Sequence, residues 1–104
     1  MGNAVGILEV YGLSTAFMAA DAGCKAADVK LEKFDKQKPE HSRHLKVPLL
    51  VVVKFRGSVA AVEAAMEAAK EKAESLTGVV HDVIIANPTE DTEKMLRAGA
   101  FDKR

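Results

Sequence analysis

The feature that most constrains the fold is a run of apolar residues near the middle of the chain. Val47 to Val53 contains no charged side chain, and its second part, Leu49–Val53, is rich in β-branched residues. Such a run is typical of a central strand that is covered on both faces. It is far too short to cross a membrane. We therefore expect a buried strand over Pro48–Phe55, in the middle of a sheet.

Regular apolar spacing predicts the other elements. Residues that alternate or cluster in short apolar runs predict three more strands, over Ala4–Val10, Asp28–Phe34 and Val79–Ala86. Spacings of three and four predict two long helices and a last short one, over Thr15–Ala27, Val59–Leu76 and Asp91–Leu96.

Capping residues mark the ends of these helices. Ser14, Ser58 and Thr89 are candidate N-caps for the three helices in turn. Gly78 follows the second helix, where a glycine ends a helix most readily.

The element order is β-α-β-β-α-β-α. The second and third strands are neighbours in sequence and are expected to pair antiparallel, with the helices packed on one face of the sheet. The 104 residues suit a single domain, residues 1–104, that ends in a tail, 99–104. The prediction is an α+β fold of ferredoxin-like type.

The single cysteine, Cys24, excludes an intramolecular disulfide and fits a reducing compartment. Leu13, Phe17, Ala20 and Cys24 are spaced as one helical face. We therefore place Cys24 in or beside the core, as a small apolar side chain rather than a reactive thiol.

The charges balance, with 15 basic and 15 acidic side chains. A neutral chain has no bulk electrostatic attraction for nucleic acid or for an anionic membrane. It also has little charge repulsion to oppose self-association. The N-terminus shows no basic segment followed by an apolar one, so no signal peptide is expected and the predicted location is the cytoplasm.

A basic loop, Lys36–Lys46, separates the second and third strands. It is longer than most connections in compact domains, and such loops are often functional. It holds two of the three histidines, within His41-Ser42-Arg43-His44. In a monomer a solvated loop is the favoured interpretation, because two histidines bind a metal only with ligands from elsewhere. The third histidine, His81, is interpreted as a structural or surface residue.

No motif predicts catalysis. A glycine-rich phosphate loop, a nucleophile elbow, a CxxC pair and an HExxH helix are all missing from the sequence. The sequence therefore predicts a protein that is not an enzyme.

Several segments resemble bacterial microcompartment shell proteins, in the same order along the chain. The similar segments are Gly12-Leu13 with Ala19–Ala22 and Lys25 in the first helix, Val51–Val62 across the third strand, its turn and the second helix, Val83–Pro88 in the last strand, and Glu93–Leu96 in the last helix.

The resemblance implies a cyclic homohexamer that packs with other shell proteins around a metabolic organelle. It implies that His41, Ser42, Arg43 and His44 line a pore on the six-fold axis. It also implies tile-edge contacts at Lys25, Asn87 and Pro88, although Asn87 stands where the family has an arginine.

The loop resembles the divergent pore loops of the glycyl-radical subgroup of these proteins. Some members of that subgroup bind an iron–sulfur cluster through a Cys-Pro motif. This loop has no cysteine, so no cofactor is expected.

Six-fold symmetry would bring the loops together. Crowding disfavours the charged form of His41 and His44, and neutral imidazoles are candidate ligands for a transition metal. A ring of Arg43 side chains would attract small anionic or polar metabolites.

Two other functions fit a ferredoxin-like fold. One is a trimeric signalling protein that binds nucleotide beneath a long loop between the second and third strands. The other is a small hydrolase, but it would need an arginine within Gly2–Gly12, and that segment has none.

Overall fold

The structure, a computed structural model, describes residues 3–32, 34–37 and 49–97. Its elements are β1 (Ala4–Tyr11), α1 (Leu13–Ala26), β2 (Lys30–Leu31), β3 (Asp35–Gln37), β4 (Leu50–Gly57), α2 (Val59–Glu74), β5 (Val79–Ile85) and α3 (Glu90–Arg97). This order confirms the predicted one, except that β2 covers only two residues of the predicted strand Asp28–Phe34 and a further short strand, β3, follows where the loop was expected to begin.

The sheet is antiparallel, with the strand order β2-β4-β1-β5, and β3 pairs with β4 beyond the end of β2. The apolar run therefore forms a central strand, as predicted. Strands β1 and β4 are paired along their full lengths, from Ala4 opposite Gly57 to Tyr11 opposite Leu50, and form the middle of the sheet.

A one-residue bulge separates β2 from β3. Leu31 lies opposite Phe55, but Asp35 lies opposite Val52. Between these two pairs, the segment that joins β2 to β3 therefore has one residue more than β4 has. The alternation predicted over Asp28–Phe34 therefore does not continue through a single strand.

Helices α1 and α2 pack on one face of the sheet through small side chains. The buried residues of the two helices are Thr15, Ala16, Ala19, Ala20, Gly23, Val62, Ala65, Met66, Ala69 and Ala73. Beneath them, Leu8, Val53 and Phe55 of the sheet are fully buried.

The helical face predicted for α1 is wrong except at Ala20. Leu13 and Phe17 are 39% and 59% exposed, and Cys24 is exposed too. A Cβ atom at Gly23 would lie 2.5 Å from the ring of Phe55. The helix approaches its neighbours so closely that only small side chains fit there, and the large ones lie on the outer surface.

Two of the three predicted N-caps are confirmed. The hydroxyl of Ser58 accepts a hydrogen bond from Ala61 N at 3.1 Å, and that of Thr89 accepts one from Thr92 N at 3.2 Å. Ser14 is not a cap, because the helix has already begun at Leu13 after Gly12, whose φ is 92°.

Helix α2 ends at Glu74, with Ser75 as its C-cap, two residues before the predicted end at Leu76, and Gly78 follows in the turn beyond it. Gly78 has a φ of 115° and donates its N–H to Ala73 O at 2.8 Å.

The expectation that the helices share one face holds for α1 and α2 but not for α3. Side chains alternate across a strand, so Lys54 and Arg56 project from the face of β4 opposite to that of Val53 and Phe55. Both reach α3, through Leu96 and Glu93. The third helix therefore lies against the other face of the sheet.

None of the helices in the described part of the chain is long and apolar enough to span a membrane.

Candidate functional site

The predicted pore residues His41, Ser42, Arg43 and His44 lie outside the described residues, as does the tail 99–104. The first two residues of the predicted loop, Lys36 and Gln37, belong to strand β3. The described residues nevertheless fix the two ends of the loop.

Both ends of the loop leave the sheet at the same place. Gln37, before it, lies opposite Leu50 in the β3–β4 register. Leu49, after it, accepts a hydrogen bond from Gly12 N at 2.7 Å. The loop therefore emerges where β1 ends at Tyr11, and we call this the loop end of the sheet.

A threonine pair holds the loop end together. Thr77 donates its hydroxyl proton to Tyr11 O, at 2.6 Å, or to the hydroxyl of Thr15, at 2.8 Å. The turn after α2 is thereby joined to the end of β1 and to the first turn of α1. Sequence reasoning missed these contacts, because no spacing rule links residues more than 60 positions apart.

The predicted tile-edge residues lie at the opposite end. Asn87 and Pro88 follow Ile85, which pairs with Val5 near the start of β1. Lys25 lies in the last turn of α1, and the carbonyl of Asp28 beyond it approaches Gly57. The structure thus brings Lys25, Asn87 and Pro88 to one end of the sheet, which we call the rim end.

Lys25 is exposed and already has a partner on its own helix. Its ammonium lies 2.9 Å from Asp21 Oδ2. The hydrogen bond and the charge of Asp21 raise the pKa of Lys25 above its ordinary value. Asn87 is exposed and Pro88 is half-buried.

Two cations of β4 bind α3, and sequence reasoning missed both. Lys54 is 2% exposed and donates to Leu96 O at 2.8 Å. Arg56 forms a two-pronged ion pair with Glu93, in which Nη1 lies 3.0 Å from Oε2 and Nη2 binds Oε1. Its Nε also binds Glu32 Oε2, at 2.9 Å.

The pKa shifts in this cluster follow from the ion pair. The hydrogen bond from Arg56 lowers the pKa of Glu93, and the same bond raises the pKa of Arg56. The charged forms of Arg56 and Glu93 are therefore both favoured in the folded protein. The signal in the sequence was the pair of cations within a buried strand, since buried cations need partners.

Cys24 is not in the core. It is exposed on α1, and partial burial of its thiol, together with the charge of Asp21, raises its pKa. A raised pKa disfavours the reactive thiolate, so the structure gives no support to a reactive thiol. His81 is an exposed residue of β5 opposite Glu9, which confirms its interpretation as a surface residue.

Within residues 3–32, 34–37 and 49–97, no three histidine, cysteine, aspartate or glutamate side chains are grouped to hold a metal ion. The grooves found there are open and line the outer surfaces of α1, α2 and β5. The described residues thus form a small α+β domain that exposes apolar side chains such as Phe17 and Val83.

Residues 4–88 match the BMC domain. The chain belongs to the family of bacterial microcompartment shell proteins that share this domain. It is 36% identical over 97 residues to the bacterial microcompartment shell protein PduA of Salmonella typhimurium, covering 93% of this chain and 94% of the relative. It is 37% identical over 99 residues to the carboxysome shell protein CsoS1C of Hydrogenovibrio crunogenus, covering 94% and 88%.

A solved structure supports the fold. A microcompartment protein from Desulfitobacterium hafniense superposes with a TM-score of 0.72 at 23% identity, over 90% of this chain and 48% of that protein. The chain spans about half the length of this structural relative.

Proposed function

We propose that this chain is a structural subunit of a bacterial microcompartment shell that assembles into a cyclic homohexamer. The shell role rests on the named relatives, which align over almost the full chain. A microcompartment shell lies in the bacterial cytoplasm, and the proposed partners are further copies of the chain and other shell proteins.

One observation carries the proposal of a ring with a pore. The segment that holds His41 and His44 leaves the sheet at the loop end, whereas Lys25 and Asn87 lie at the rim end. In a flat ring, these ends would face the axis and the neighbouring tiles, respectively. The strands would then run outward from the axis, and the two sheet edges would face the adjacent subunits.

The pore would act as a charged gate and not as a catalytic site. Arg43 repeated around the axis favours small anionic or polar metabolites over cations. Ser42 adds a neutral hydrogen-bonding group beside it. The chain is proposed to catalyse nothing and to carry no cofactor, because its loop offers no thiolate for an iron–sulfur cluster.

The rim would meet other shell tiles through Lys25, Asn87 and Pro88. The Lys25 ammonium lies on an exposed helix end, 76% accessible, even though it pairs with Asp21. An asparagine at position 87 offers hydrogen bonds without charge. Contacts between tiles would therefore have less charge than those made through an arginine.

The relatives do not support the nucleotide-binding alternative, since they are named as shell proteins. Assignment to the glycyl-radical subgroup stays a prediction.

The ring is tested by native mass spectrometry and small-angle scattering of the purified chain. We expect a particle of six subunits with a flat, ring-shaped scattering profile. A protomer or a trimer at all concentrations would contradict the proposal.

The loop histidines are tested by zinc titration of the assembled protein. The variant His41→Ala/His44→Ala is compared with His81→Ala, which removes the exposed histidine of β5. If the loop imidazoles meet on the axis, zinc affinity falls at least tenfold in the double variant and is unchanged in the control. Equal, weak binding by all three proteins would contradict a metal site at His41 and His44.

A further inference from the structure

The peptide group between Tyr11 and Gly12 makes a hydrogen bond on each of its two sides. Its carbonyl, Tyr11 O, accepts a bond from the Thr77 hydroxyl at 2.6 Å. Its amide, Gly12 N–H, donates to Leu49 O at 2.7 Å. The carbonyl and the amide of a trans peptide lie in one plane and point in opposite directions, so a rotation that changes one bond also changes the other. One hydrogen-bond chain therefore runs from Thr77 to Leu49.

The hydroxyl of Thr15 completes the hydrogen-bond chain. Its oxygen lies 2.8 Å from that of Thr77, and Thr15 is only 3% exposed. A hydroxyl has one proton to donate and lone pairs with which to accept. When Thr77 donates to Tyr11 O and accepts from Thr15, both hydroxyls have a partner. This arrangement commits the proton of Thr77 to the peptide group.

Leu49 depends on the chain because the ladder between β1 and β4 ends beside it. The last pair of the register is Tyr11 opposite Leu50. Beyond that pair, the φ of 92° at Gly12 turns the backbone away from the sheet. The carbonyl of Gly12 accepts from Ala16 N at 3.2 Å, the bond that begins α1. Gly12 therefore gives its carbonyl to the helix and its N–H to Leu49.

The position of Leu49 matters for both ends of the loop. Leu49 is the first described residue after the loop, and its neighbour Leu50 lies opposite Gln37 at the start of the loop. His44 precedes Leu49 by five residues, so it lies within about 18 Å of Leu49 even in a fully extended chain. A shift of Leu49 therefore changes where Arg43 and His44 can lie.

We propose that Thr77 is a positioning residue for the pore: through the Tyr11–Gly12 peptide group, it fixes the point at which the loop re-enters the sheet. The inference rests on the pore proposed above. It gives a role in the pore to the turn after α2, which lies outside the loop. Thr77 acts there through hydrogen bonds to the backbone.

Three substitutions in this turn test the proposal. Thr77→Val keeps the shape of the side chain and removes the hydroxyl, whereas Thr77→Ser keeps the hydroxyl. The matched control is Ser75→Ala, two residues earlier, which removes a hydroxyl that donates to Lys72 O of its own helix at 2.6 Å. Both altered positions are exposed, and Leu49 also packs against the core. The circular dichroism of all three variants should therefore match that of the wild type.

The first measurement is hydrogen exchange at the Gly12 amide, by mass spectrometry with fragmentation that resolves single amides. This amide exchanges when its bond to Leu49 O opens locally. Hydrogen bonds in a chain polarise one another, so loss of the Thr77 bond weakens the Gly12 bond. We expect exchange about tenfold faster in Thr77→Val, the effect of about one lost hydrogen bond. Thr77→Ser and Ser75→Ala should exchange like the wild type.

The second measurement is the ion selectivity of hexamers in a planar bilayer, from reversal potentials in a potassium chloride gradient. Thr77→Val should lower the permeability ratio of chloride to potassium about twofold, because less ordered loops place their cations less closely around the axis. Thr77→Ser and Ser75→Ala should keep the wild-type ratio. A merely structural role would lower the melting temperature of Thr77→Val and Ser75→Ala alike and would leave the ratio unchanged.

The outcomes separate the hydrogen-bond chain from the pore. Unchanged exchange at Gly12 in Thr77→Val, or equally fast exchange in Ser75→Ala, overturns the action of Thr77 on Leu49. Faster exchange with a wild-type permeability ratio overturns its role in the pore. A wild type that forms no ring, or a ring that does not distinguish chloride from potassium, overturns the proposed pore, and exchange at Gly12 then still decides whether Thr77 holds Leu49 in place.

Discussion

At Gly23, the first helix closely approaches the sheet and the second helix. A Cβ atom there would lie 2.5 Å from the ring of the fully buried Phe55 and 3.1 Å from Ala65 O. Alanine normally favours a helix over glycine by about 0.5–1 kcal/mol. Overpacking in a dense core costs about 1–3 kcal/mol, so the clash outweighs the helix propensity.

We therefore expect Gly23→Ala to lower the free energy of unfolding, against its helix propensity. The control is Cys24→Ala, at the next and exposed position, where we expect a change within about 0.5 kcal/mol. Urea denaturation of both variants, under conditions where the protein is a protomer, measures the difference. A Gly23→Ala variant as stable as the wild type would show that Phe55 and α2 can move apart.

Gly23 also shows what the sequence could not reveal about α1. Spacing rules assign the core face to the largest apolar residues, and so selected Leu13 and Phe17. The close approach of α1 to α2 and the sheet admits only residues such as Ala16, Ala19 and Gly23. Alanine and glycine carry almost no periodic signal, because they are also common on exposed helix surfaces. Tertiary packing therefore determines which face of α1 is buried.

Among the elements, α3 is the one held by polar contacts. Arg56 binds Glu93 and Glu32, and Lys54 binds Leu96 O, while Leu96 is the buried apolar residue of the helix. The pKa of Glu93 is lowered in the folded protein, so its charge stabilises folding above the ordinary glutamate pKa of about 4.3. That contribution is lost as the pH falls from there through the lowered pKa.

The expected result is a pH-dependent difference between wild type and Glu93→Gln. Above about pH 5 the wild type should melt at the higher temperature by a constant margin, since Glu93 is ionised in both states. Below about pH 4.3 the margin should shrink toward zero. Glu90→Gln, at an exposed carboxylate in the same helical turn, should show no such trend. A margin that stays constant down to pH 3 would contradict the role of the ion pair.

The order of the elements was predictable from the sequence, but the long-range contacts that attach them to one another were not. Apolar runs and caps such as Ser58 and Thr89 have local signatures, and those predictions were confirmed. The docking of α3 depends on pairs such as Arg56 and Glu93, 37 residues apart, and the bulge between β2 and β3 appears only in their register with β4. Single-sequence patterns do not contain such pairings, although cations within a buried strand indicate that a partner exists.

At the scale of the whole molecule, the layout of the sheet determines where the loop and the predicted tile-edge residues lie. The loop end and the rim end are separated by the full length of β1 and β4, which pair from Ala4 with Gly57 to Tyr11 with Leu50. The pore and tile-edge residues were predicted from the family resemblance, since the sequence of the loop on its own predicts only a solvated basic segment. The charge selectivity proposed for the loop would arise only if symmetry repeats the loop around an axis.

In the proposed hexamer, repetition around the axis would make Arg43 the residue that sets the charge of the pore. Six guanidinium groups would raise the local concentration of anions and exclude cations. We expect wild-type hexamers inserted in a planar bilayer to be anion-selective, and Arg43→Glu to reverse the sign of the reversal potential in a potassium chloride gradient. Arg97→Glu removes an exposed arginine of α3 outside the loop and should leave the wild-type sign unchanged. Because both variants alter the net charge equally, only the position of the charge separates them, and equal reversal potentials in all three proteins would place Arg43 away from the conducting path.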